Sequence, residues 1–486
     1  MKNYDVVIVG LGPTGGTLAN LIALGGYSVL ILDREKSFYP LPRAVHFDDE
    51  VMRVFQTIGI ANDFLKHTII NKGTKFVNSK GKVILDWPRP RKVTDNGWYP
   101  SYRFNQPDLE KQLRKKLKKY KKVEIKQSTE VKKINNVKGY VKIIFKNNIN
   151  KKIQEVKAKY LVGCDGANSI TRSQIRTKME NLGFTQKWAV VDLILKKNKK
   201  NLPDRTIQYS NPKQPATYCR NVGKRRRWEF AIKDNLSEKK VLTEKYIWNF
   251  LKPWLKKSEA YIERKTIYTF ESAISRKWRK GRVFISGDAA HLMPPFMGQG
   301  MCAGVRDASN LAWKIKKCLR DKYDQSLLNT YQSERLSNVK EYIETTMRMG
   351  EFVNAVETIQ ITDNILPDGH GTKSMKSIKP ELGTGLGQKR DKNRGKVFPQ
   401  FKSKNKKNFD EKFSTKPILV ISSEIKKGIH PKINFAMSKN IFGLTEYLKN
   451  NNSKAIIVRP DRFILSSIQS IKKFDYFLKK YLSFLG

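Results

Sequence analysis

The sequence predicts an α/β protein in which a Rossmann-like nucleotide-binding domain is interleaved with a domain of antiparallel strands. Residues 4–33 have the pattern of a strand, a glycine turn, a helix and a second strand. Residues 181–267 contain short alternating runs typical of antiparallel strands, and residues 305–355 have the periodicity of long helices. A chain of 486 residues, 39% of them hydrophobic, is long enough for two or three domains with separate cores.

The first element is the stretch YDVVIVGLGPTGGTLANLIALGGYSVLILD. Its continuous apolar run DVVIV suits a buried parallel strand. The glycines of the following GxGxxG motif permit a tight turn, backbone approach to a pyrophosphate and close packing of helix on strand, while the helix N-terminus faces the phosphates. Asp33 ends the second strand, where its carboxylate is placed to accept hydrogen bonds from a ribose. The motif alone does not distinguish NAD from FAD. The turn consists of Gly10, Gly12, Pro13, Thr14 and Gly15.

Three further stretches narrow the choice. YLVGCDGANSITR (160–172) is an apolar strand followed by Asp165 and Gly166, and GRVFISGDAAHLMPPFMGQG (281–300) is a strand followed by Gly287, Asp288 and a glycine turn. RFNQPDLEKQL (103–113) places Gln106 at the start of a basic helix. In this order and spacing, the set resembles the flavin-dependent aromatic hydroxylases, the single-component FAD monooxygenases of the para-hydroxybenzoate hydroxylase fold.

The resemblance is closer to the 3-(3-hydroxyphenyl)propionate/3-hydroxycinnamate hydroxylases. It rests on YPLPRAVHFDDEVMR, WAVVDL, RRRWEFAI, the 281–300 stretch and IIVRPDRFIL, and it extends over nearly the whole chain. It implies a Rossmann-like FAD-binding domain, an antiparallel-sheet substrate domain and a small, abbreviated thioredoxin-like C-terminal domain. The expected boundaries are 1–180 for the FAD-binding domain with a substrate-domain insertion at about 73–100, 181–267 for the substrate sheet, 268–364 for the rest of the FAD-binding domain, 365–414 for a linker and 415–486 for the C-terminal domain.

The resemblance also implies how the cofactor is held. Asp288 would bind the ribitol or ribose of FAD, and the uncharged turn after it would lay backbone against the flavin ring. Asp33 stands where many relatives have Glu, and Cys302 where many have Asn, which leaves one flavin contact open. The implied cofactor residues are Gly10, Gly12, Pro13, Thr14, Gly15, Asp33 and Arg34 (adenosine ribose), Arg43 and Gln106 (pyrophosphate and ribitol), Asp165 and Gly166 (FAD and nicotinamide), and Gly287, Asp288, Gly298, Gly300 and Met301.

The implied reaction uses NADH or NADPH and O2 to hydroxylate a phenolic acid ortho to its hydroxyl, in aromatic catabolism. The expected substrate is 3-(3-hydroxyphenyl)propionate or 3-hydroxycinnamate, with a carboxylate partner in the basic stretch YCRNVGKRRRW. Arg227 matches a family arginine on the substrate sheet that faces the flavin; the alternative is a solvated member of KRRR. Other phenols or polyketide-like aromatics stay open as substrates, and so does a halogenase or reductase of the same fold.

The segment AVHFDDE is a candidate for phenol activation. In an extended chain His46 and Asp48 point to the same side and would act as base and orienter. The alternative makes Asp48 the N-cap of a helix over DDEVMRVFQTIGI, with Asp49 and Glu50 near the positive end of its dipole. His291 is expected to order the flavin loop, and the other histidines are expected to have ordinary roles: His67, His370 and His430.

The composition bounds the partners. A formal net charge of +52 suits either a polyanion partner or compositional drift toward lysine. The lysines are scattered without interleaved aromatics, which favours drift, so no nucleic acid is expected; a polyanion-binding protein with a vestigial flavin site is the rival class. We expect no metal, no membrane span, a cytoplasmic location and reduced thiols, and leave a homodimer open. The cysteines are Cys164, Cys219, Cys302 and Cys318.

Overall fold

The computed structural model gives the chain as two large mixed layers and a smaller C-terminal unit. It describes residues 1–199, 201–233, 236–321, 325–354, 365–367, 373–375, 377–388, 390–402, 408–413, 415–426, 429–431 and 433–485. His370 lies outside the described residues. None of the helices in this described part is long and apolar enough to cross a membrane.

The elements follow one another in the order that the sequence patterns predict. The described strands are β1 (Lys2–Val9), β2 (Val29–Leu32), β3 (His46–Asp48), β4 (Thr68–Ile70), β5 (Gly73–Asn78), β6 (Val83–Pro88), β7 (Ser101–Phe104), β8 (Val123–Lys126), β9 (Thr129–Val137), β10 (Tyr140–Asn147), β11 (Ile153–Gly163), β12 (Met179–Leu195), β13 (Thr206–Ser210), β14 (Ala216–Arg220), β15 (Arg225–Ala231), β16 (Ala260–Ser275), β17 (Arg279–Lys280), β18 (Val283–Ile285), β19 (His291–Leu292), β20 (Ile365–Pro367), β21 (Lys373–Met375), β22 (Ile418–Ile421), β23 (Phe435–Met437), β24 (Ala455–Val458) and β25 (Ile464–Ile468). The described α-helices are α1 (Pro13–Ala23), α2 (Asp49–Ile58), α3 (Ala61–Leu65), α4 (Gln106–Leu117), α5 (Ile170–Gln174), α6 (Glu238–Val241), α7 (Glu244–Leu251), α8 (Gly300–Asp321), α9 (Ser326–Asn354), α10 (Phe409–Phe413), α11 (Leu444–Asn450) and α12 (Phe474–Leu485).

The first large sheet is the Rossmann-like one. Its path runs β17-β18-β11-β1-β2-β8, and β1 pairs in parallel with both β2 and β11. The central strands are buried on both faces because α1, α4 and α8 cover them, which explains their continuous apolar runs. The antiparallel strands β9 and β10 extend the sheet beside β11. The predicted Rossmann-like fold is thus confirmed.

The second large sheet is mostly antiparallel and follows the order β19-β16-β12-β15-β14-β13-β5-β6-β21-β20. The hairpin of β5 and β6, expected as an insertion, joins it beside β13. Two details differ from expectation. The strand β16 continues to Ser275, past the expected boundary at 267, because it stays paired with the equally long β12. The segment expected to be a linker contributes β20 and β21, which pair next to β6.

The C-terminal unit has the predicted thioredoxin-like topology. Its four strands follow the order β23-β22-β24-β25, with β22 parallel to β23 and antiparallel to β24. The helix α11 precedes β24 and α12 follows β25. In the described residues between β22 and β23 there is no helix, so the unit is abbreviated at that crossover.

A buried ionic cluster joins this unit to the long helices. The Glu334 carboxylate on α9 accepts hydrogen bonds from Lys314 Nζ on α8 at 2.7 Å and from Arg459 Nη2 at 2.9 Å. Arg459 also pairs with Asp461 at 2.6 Å, in the turn between β24 and β25. Glu334, Lys314 and Arg459 are at most 1% exposed. The two cations hold the pKa of Glu334 far below its ordinary value despite burial. The RPDR turn of the C-terminal unit is therefore anchored on the α8–α9 pair.

A second buried contact fastens the same turn to α2. Arg53 Nε on α2 lies 2.6 Å from the Asp410 carboxylate, and Arg462 Nε lies 3.3 Å from its other oxygen. Arg53 also donates to the carbonyl of Phe398 at 2.6 Å. The C-terminal unit thus contacts both α2 and the α8–α9 pair through charged groups shielded from water.

We predict that Glu334→Gln destabilises the protein by about 3–5 kcal/mol, because the amide cannot compensate two buried cations. Chemical denaturation of the wild type and the variant, followed by circular dichroism, measures the difference. The matched control is Glu344→Gln on the same helix, which breaks a pair with Lys340 whose side chains are 50–56% exposed. That variant should lose less than about 0.5 kcal/mol. Equal losses in the two variants would contradict the anchoring role of Glu334.

Candidate functional site

The glycine turn after β1 has the three spatial requirements that the motif predicts. Gly10 has φ +96° and packs against the carbonyl of Cys164, and a side chain at Gly15 would collide with the carbonyl of Gly10. A Cβ added at Gly12 would meet no atom within 4 Å. Gly12 is also the N-cap of α1 and offers no side-chain cap, so the first N–H groups of the helix face open space. This arrangement leaves room for a phosphate at the helix N-terminus.

Asp33 supports the turn from the end of β2. Its carboxylate accepts hydrogen bonds from the backbone N–H of Leu11 at 2.7 Å and of Glu35 at 2.9 Å. Beyond it lies a cleft of about 550 Å3 bordered by residues 34–40, Ser128 and the 148–149 turn. Arg34 lies on this border with an exposed side chain. Asp33 thus shapes the backbone around a ribose-sized space, and its contact with a ribose stays a prediction.

The DG and GD turns are joined by one arginine. Asp165 accepts from Ser169 Oγ at 2.6 Å and from the Thr171 N–H at 2.9 Å, so it caps the short helix α5. Arg172 on that helix donates to the carbonyl of Ala167 at 2.6 Å and to that of Ala289 at 3.1 Å. Gly166 has φ +80° and open space where a Cβ would lie. The DG turn therefore supports the backbone that follows Asp288.

Asp288 is the exposed carboxylate of this region. Its side chain receives no hydrogen bond from the described residues, although protein surrounds it and raises the pKa of its carboxyl, with His291 and Arg43 opposing that rise. Gly287 beside it has φ +64° and packs directly on the Thr14 side chain of the glycine turn. Asp288 consequently stands next to the N-terminus of α1 with its oxygens free for an outside donor. We call this surface, from Gly12 to Asp288, the cofactor cleft.

The loop carrying Asp288 is held by a buried carboxylate that the sequence reasoning missed. Asp307 on α8 accepts from the Gly287 N–H at 3.1 Å, contacts His291 Nε2 at 2.7 Å and pairs with Arg335 Nε on α9 at 2.8 Å. His291 and Arg335 keep the pKa of the fully buried Asp307 carboxyl below its ordinary value. The His291 ring also lies 5.3 Å from that of Trp278. A charged residue on the buried face of a predicted helix was the available signal.

A second missed cluster holds the loop before β3. Asp192 on β12 pairs with Arg227 Nε at 2.7 Å and with Arg264 Nη2 at 2.7 Å. Both guanidinium groups donate to the carbonyl of Pro42, at 2.5 and 2.7 Å, and Arg227 also donates to that of Arg43 at 2.7 Å. The solvated alternative for Arg227 is wrong, since the residue is 4% exposed. Arg227 thus acts on the loop backbone, and its contact with flavin stays a prediction.

The other face of this loop is held by Gln106. Its Oε1 accepts from the Ala44 N–H at 2.8 Å, and its amide group donates to Glu110 at 2.9 Å. The Arg43 guanidinium lies 4.4 Å from the ring centre of Tyr39 and remains exposed. The loop backbone is therefore fixed from both sides while the Arg43 side chain reaches outward.

The expectation that the basic stretch 218–228 supplies a free cation for a carboxylate is wrong. Arg225 pairs with Glu263 at 2.9 Å, and Arg226 donates to the carbonyls of Gly223 and Arg225. Arg227 is engaged with Asp192 and the loop backbone. These arginines stabilise the sheet and its neighbouring loop instead.

His46 is buried between the flavin-loop candidate and β7. Its Nδ1 lies 3.2 Å from the Gly298 carbonyl, which requires the proton on Nδ1, so Nε2 accepts from Ser101 Oγ at 2.7 Å. Asn71 donates in turn to Ser101 Oγ at 2.8 Å. Burial, Arg103 and Arg89 lower the pKa of His46 to about 3. The ring is therefore neutral at physiological pH, with both nitrogens occupied.

Asp48 is the N-cap of α2, as the alternative interpretation predicts. Its carboxylate accepts from the Val51 N–H at 3.1 Å, from Arg306 Nη2 at 2.5 Å and from Gln299 Nε2 at 3.2 Å. Arg306 keeps the pKa of Asp48 below its ordinary value. Neither ring nitrogen of His46 bonds to Asp48, so the expected base-and-orienter pair is wrong for this arrangement. Asp48 instead ties α2 to the turn that precedes α8.

A cavity of about 700 Å3 opens beside His46. The turn before α8 contributes Met297 and Gln299 to its wall, the end of β6 contributes Trp87 and Arg89, and residues 377–381 lie across it. Asn338 on α9 holds this last segment by donating to the Pro380 carbonyl at 2.5 Å. The loop that presents Asp288 to the cofactor cleft thus also lines a cavity large enough for an aromatic ring.

Taken together, these residues fit FAD. The open space at Gly12, the uncapped start of α1 and the free oxygens of Asp288 match phosphates and polyol hydroxyls. Gly298 (φ +64°), Gly300 and Met301 form the start of α8, where Gly300 has only Met293 within 4 Å of an added Cβ. Among the described residues no His, Cys, Asp or Glu cluster could hold a metal ion.

Comparisons with known proteins agree with this reading of the site. The family described as FAD binding domain matches residues 3–346. A protein named probable NADH-specific resorcinol 4-hydroxylase, from Rhodococcus jostii, is 35% identical over 82% of this chain and 75% of its own. The 3-(3-hydroxy-phenyl)propionate/3-hydroxycinnamic acid hydroxylase of Mycolicibacterium gilvum is 29% identical over 78% of this chain, which spans 65% of that protein.

Among solved structures, aklavinone-11 hydroxylase in complex with FAD and aklavinone has a TM-score of 0.82 at 17% identity. The match covers 100% of this chain and 99% of that one, so the fold is shared from end to end. The chain therefore belongs to the FAD-binding-domain family and, within it, to the FAD-dependent aromatic hydroxylases.

Proposed function

We propose that this protein uses NAD(P)H and O2 to hydroxylate a phenolic aromatic acid ortho to its hydroxyl, with 3-(3-hydroxyphenyl)propionate or 3-hydroxycinnamate as substrate. The observation that carries the proposal is the single loop that offers Asp288 to the cofactor cleft and Met297 and Gln299 to the adjoining cavity. A cofactor and an aromatic ring held by the same loop would be neighbours. When bound, FAD would supply electron transfer from NAD(P)H and the activation of oxygen.

The chain itself would bind, orient and exclude water. The start of α1 and Asp288 would hold the phosphates and hydroxyls of FAD, while Arg227, Arg264 and Gln106 fix the backbone of the 42–44 loop. Trp87 and Met297 give the cavity an apolar wall that keeps water from the reacting ring. One oxygen atom of O2 would enter the ring and the other would leave as water, with NAD(P)H as the electron donor.

Resorcinol is the second candidate substrate. The Rhodococcus jostii relative, named for resorcinol 4-hydroxylation, is 35% identical to this chain, against 29% for the Mycolicibacterium gilvum hydroxylase. The two candidates share a phenol with a substituent meta to the hydroxyl, and position 4 of resorcinol is also ortho to a hydroxyl. They differ in charge, since only the phenolic acid carries a carboxylate at neutral pH.

We expect the FAD-loaded protein to oxidise NADH faster when 3-(3-hydroxyphenyl)propionate is added, and to form the catechol product. Mass spectrometry with 18O2 should find one labelled oxygen atom in that product. Running NADPH and resorcinol in parallel assigns the nicotinamide and the ring substituent. Hydroxylation of carboxylate-free phenols alone would overturn the acid as substrate, and stimulated NADH oxidation without any labelled product would overturn the hydroxylase.

We predict that Asp288→Ala weakens FAD binding at least about tenfold, because the variant loses a charged hydrogen-bond acceptor in the cofactor cleft. Fluorescence titration of the apoprotein with FAD measures the dissociation constant. The apoprotein should keep its thermal midpoint, since no described residue donates to this carboxylate. Asp288→Asn, which retains one acceptor, should fall between the two. Unchanged FAD affinity in Asp288→Ala would refute the assignment.

We predict that His46→Gln leaves the pH profile of hydroxylation unchanged between about pH 6 and pH 9. With its pKa lowered to about 3, His46 does not titrate in this range. The variant should instead form less product per NADH oxidised, because the Gly298 carbonyl loses the contact that positions the turn. Both quantities follow from parallel assays of NADH and product.

The notebook role of a catalytic base is replaced here by a positioning role, and the same assays separate the two. Loss of one limb of the pH profile in His46→Gln would support a base. Ser101→Ala is the matched variant, since it removes the hydrogen bond to Nε2 and leaves the one to Gly298. We expect it to retain normal coupling of NADH oxidation to product.

A further inference from the structure

The cavity beside His46 contains a cation that the protein does not neutralise. Arg89 lies in its wall at the end of β6, half-buried, with the guanidinium stacked 3.8 Å from the ring centre of Trp87. Of its five N–H donors, one has an acceptor in the described residues, Ser377 Oγ at 2.8 Å. No carboxylate of the described residues lies within 4 Å of this guanidinium.

The other arginine of the wall is in the opposite condition. Arg306 pairs with Asp48 at 2.5 Å and with Glu50 at 2.7 Å, and it donates to Gln299 at 3.1 Å. It has no capacity left for a ligand carboxylate. The lysines of the wall, Lys379 and Lys396, are exposed at its rim. Arg89 is therefore the half-buried cation of this wall with free donors.

The acidic groups of the wall do not compensate Arg89. Asp48 and Glu50 are committed to Arg306, and Asp49 accepts from Thr94 at 2.5 Å and from Asn96 at 3.0 Å. Burial raises the pKa of Asp49, which reduces its negative charge. The remaining acidic residues, Asp95 and Glu381, are exposed at the mouth.

A second buried guanidinium adds to the excess of positive charge. Arg103 is paired in register with His46 across β3 and β7, is 6% exposed, and donates to Thr206. Burial and Arg103 together lower the pKa of Arg89 to about 10. An anion in the cavity would relieve this repulsion, and a guanidinium stacked on an indole keeps its edge available for a carboxylate.

We propose that Arg89 binds the carboxylate of a phenolic acid substrate and so selects acids over neutral phenols. This inference rests on the proposed hydroxylase function and names its substrate class. Trp87 holds the guanidinium by stacking, Ser377 fixes one edge, and the remaining edge would meet the two carboxylate oxygens side by side. Arg89 is a specificity residue in this scheme and takes no part in oxygen transfer.

The test is equilibrium binding to the FAD-loaded enzyme, followed by the change in flavin absorbance without NADH. For 3-(3-hydroxyphenyl)propionate, Arg89→Gln should raise Kd by about 10- to 100-fold, because a charged hydrogen bond is lost. For the neutral isostere 3-(3-hydroxyphenyl)propan-1-ol, the same variant should change Kd by less than about threefold. Arg89→Lys, which keeps the charge without the fork, should give an intermediate Kd for the acid.

The matched control is Arg91→Gln, which removes the same charge two residues away at an exposed position. It should leave both dissociation constants unchanged. FAD content and thermal midpoint establish that each variant is folded, and Arg89→Lys carries the test if Arg89→Gln does not fold. An equal loss of affinity for acid and alcohol, no loss for the acid, or a wild type that binds resorcinol and not the acid would each overturn the proposal. Those results leave the hydroxylase intact, whereas absence of hydroxylation with every phenol would overturn the proposed function itself.

Discussion

The buried carboxylate of Asp307 organises the site. It receives the Gly287 N–H, the His291 ring and the Arg335 guanidinium, so one side chain connects the turn after β18, the helix α8 and the helix α9. A carboxylate with no exposure is costly unless it is paired and hydrogen-bonded, and here every partner is also part of the loop architecture. The direction in which Asp288 points depends on this arrangement, because the neighbouring Gly287 backbone is fixed by it.

The antiparallel sheet reaches the site through backbone rather than through free side chains. Arg227 and Arg264 share Asp192 and converge on the Pro42 carbonyl, while Gln106 holds the Ala44 N–H from the other domain. The loop between β2 and β3 is thereby suspended between the two large sheets. Any shift of one sheet against the other would move this loop, and the exposed Arg43 side chain with it.

Local patterns were sufficient to predict much of the fold. The GxGxxG turn, the apolar run of β1 and the N-cap at Asp48 each follow from residues close together in the chain, and the structure has all three features. The ionic clusters were not predictable in this way. Asp192 with Arg264, and Asp307 with Arg335, join positions on different elements, and a charged residue on a buried face does not reveal its partner without the tertiary fold. The assignment of His46 and Asp48 as a pair failed for the same reason, since Arg306 and Ser101 come from elsewhere in the chain.

The contact of Thr14 with Gly287 has a consequence for how the sequence can change over evolution. A Cβ added at either Gly287 or Gly304 would run into the same Thr14 side chain, so three distant segments share one small volume. Enlarging any one of these positions requires a reduction at another, or a separation of α1 from α8. Natural variation at positions 14, 287 and 304 should therefore be correlated, and a designer who replaces one of them has to choose all three together.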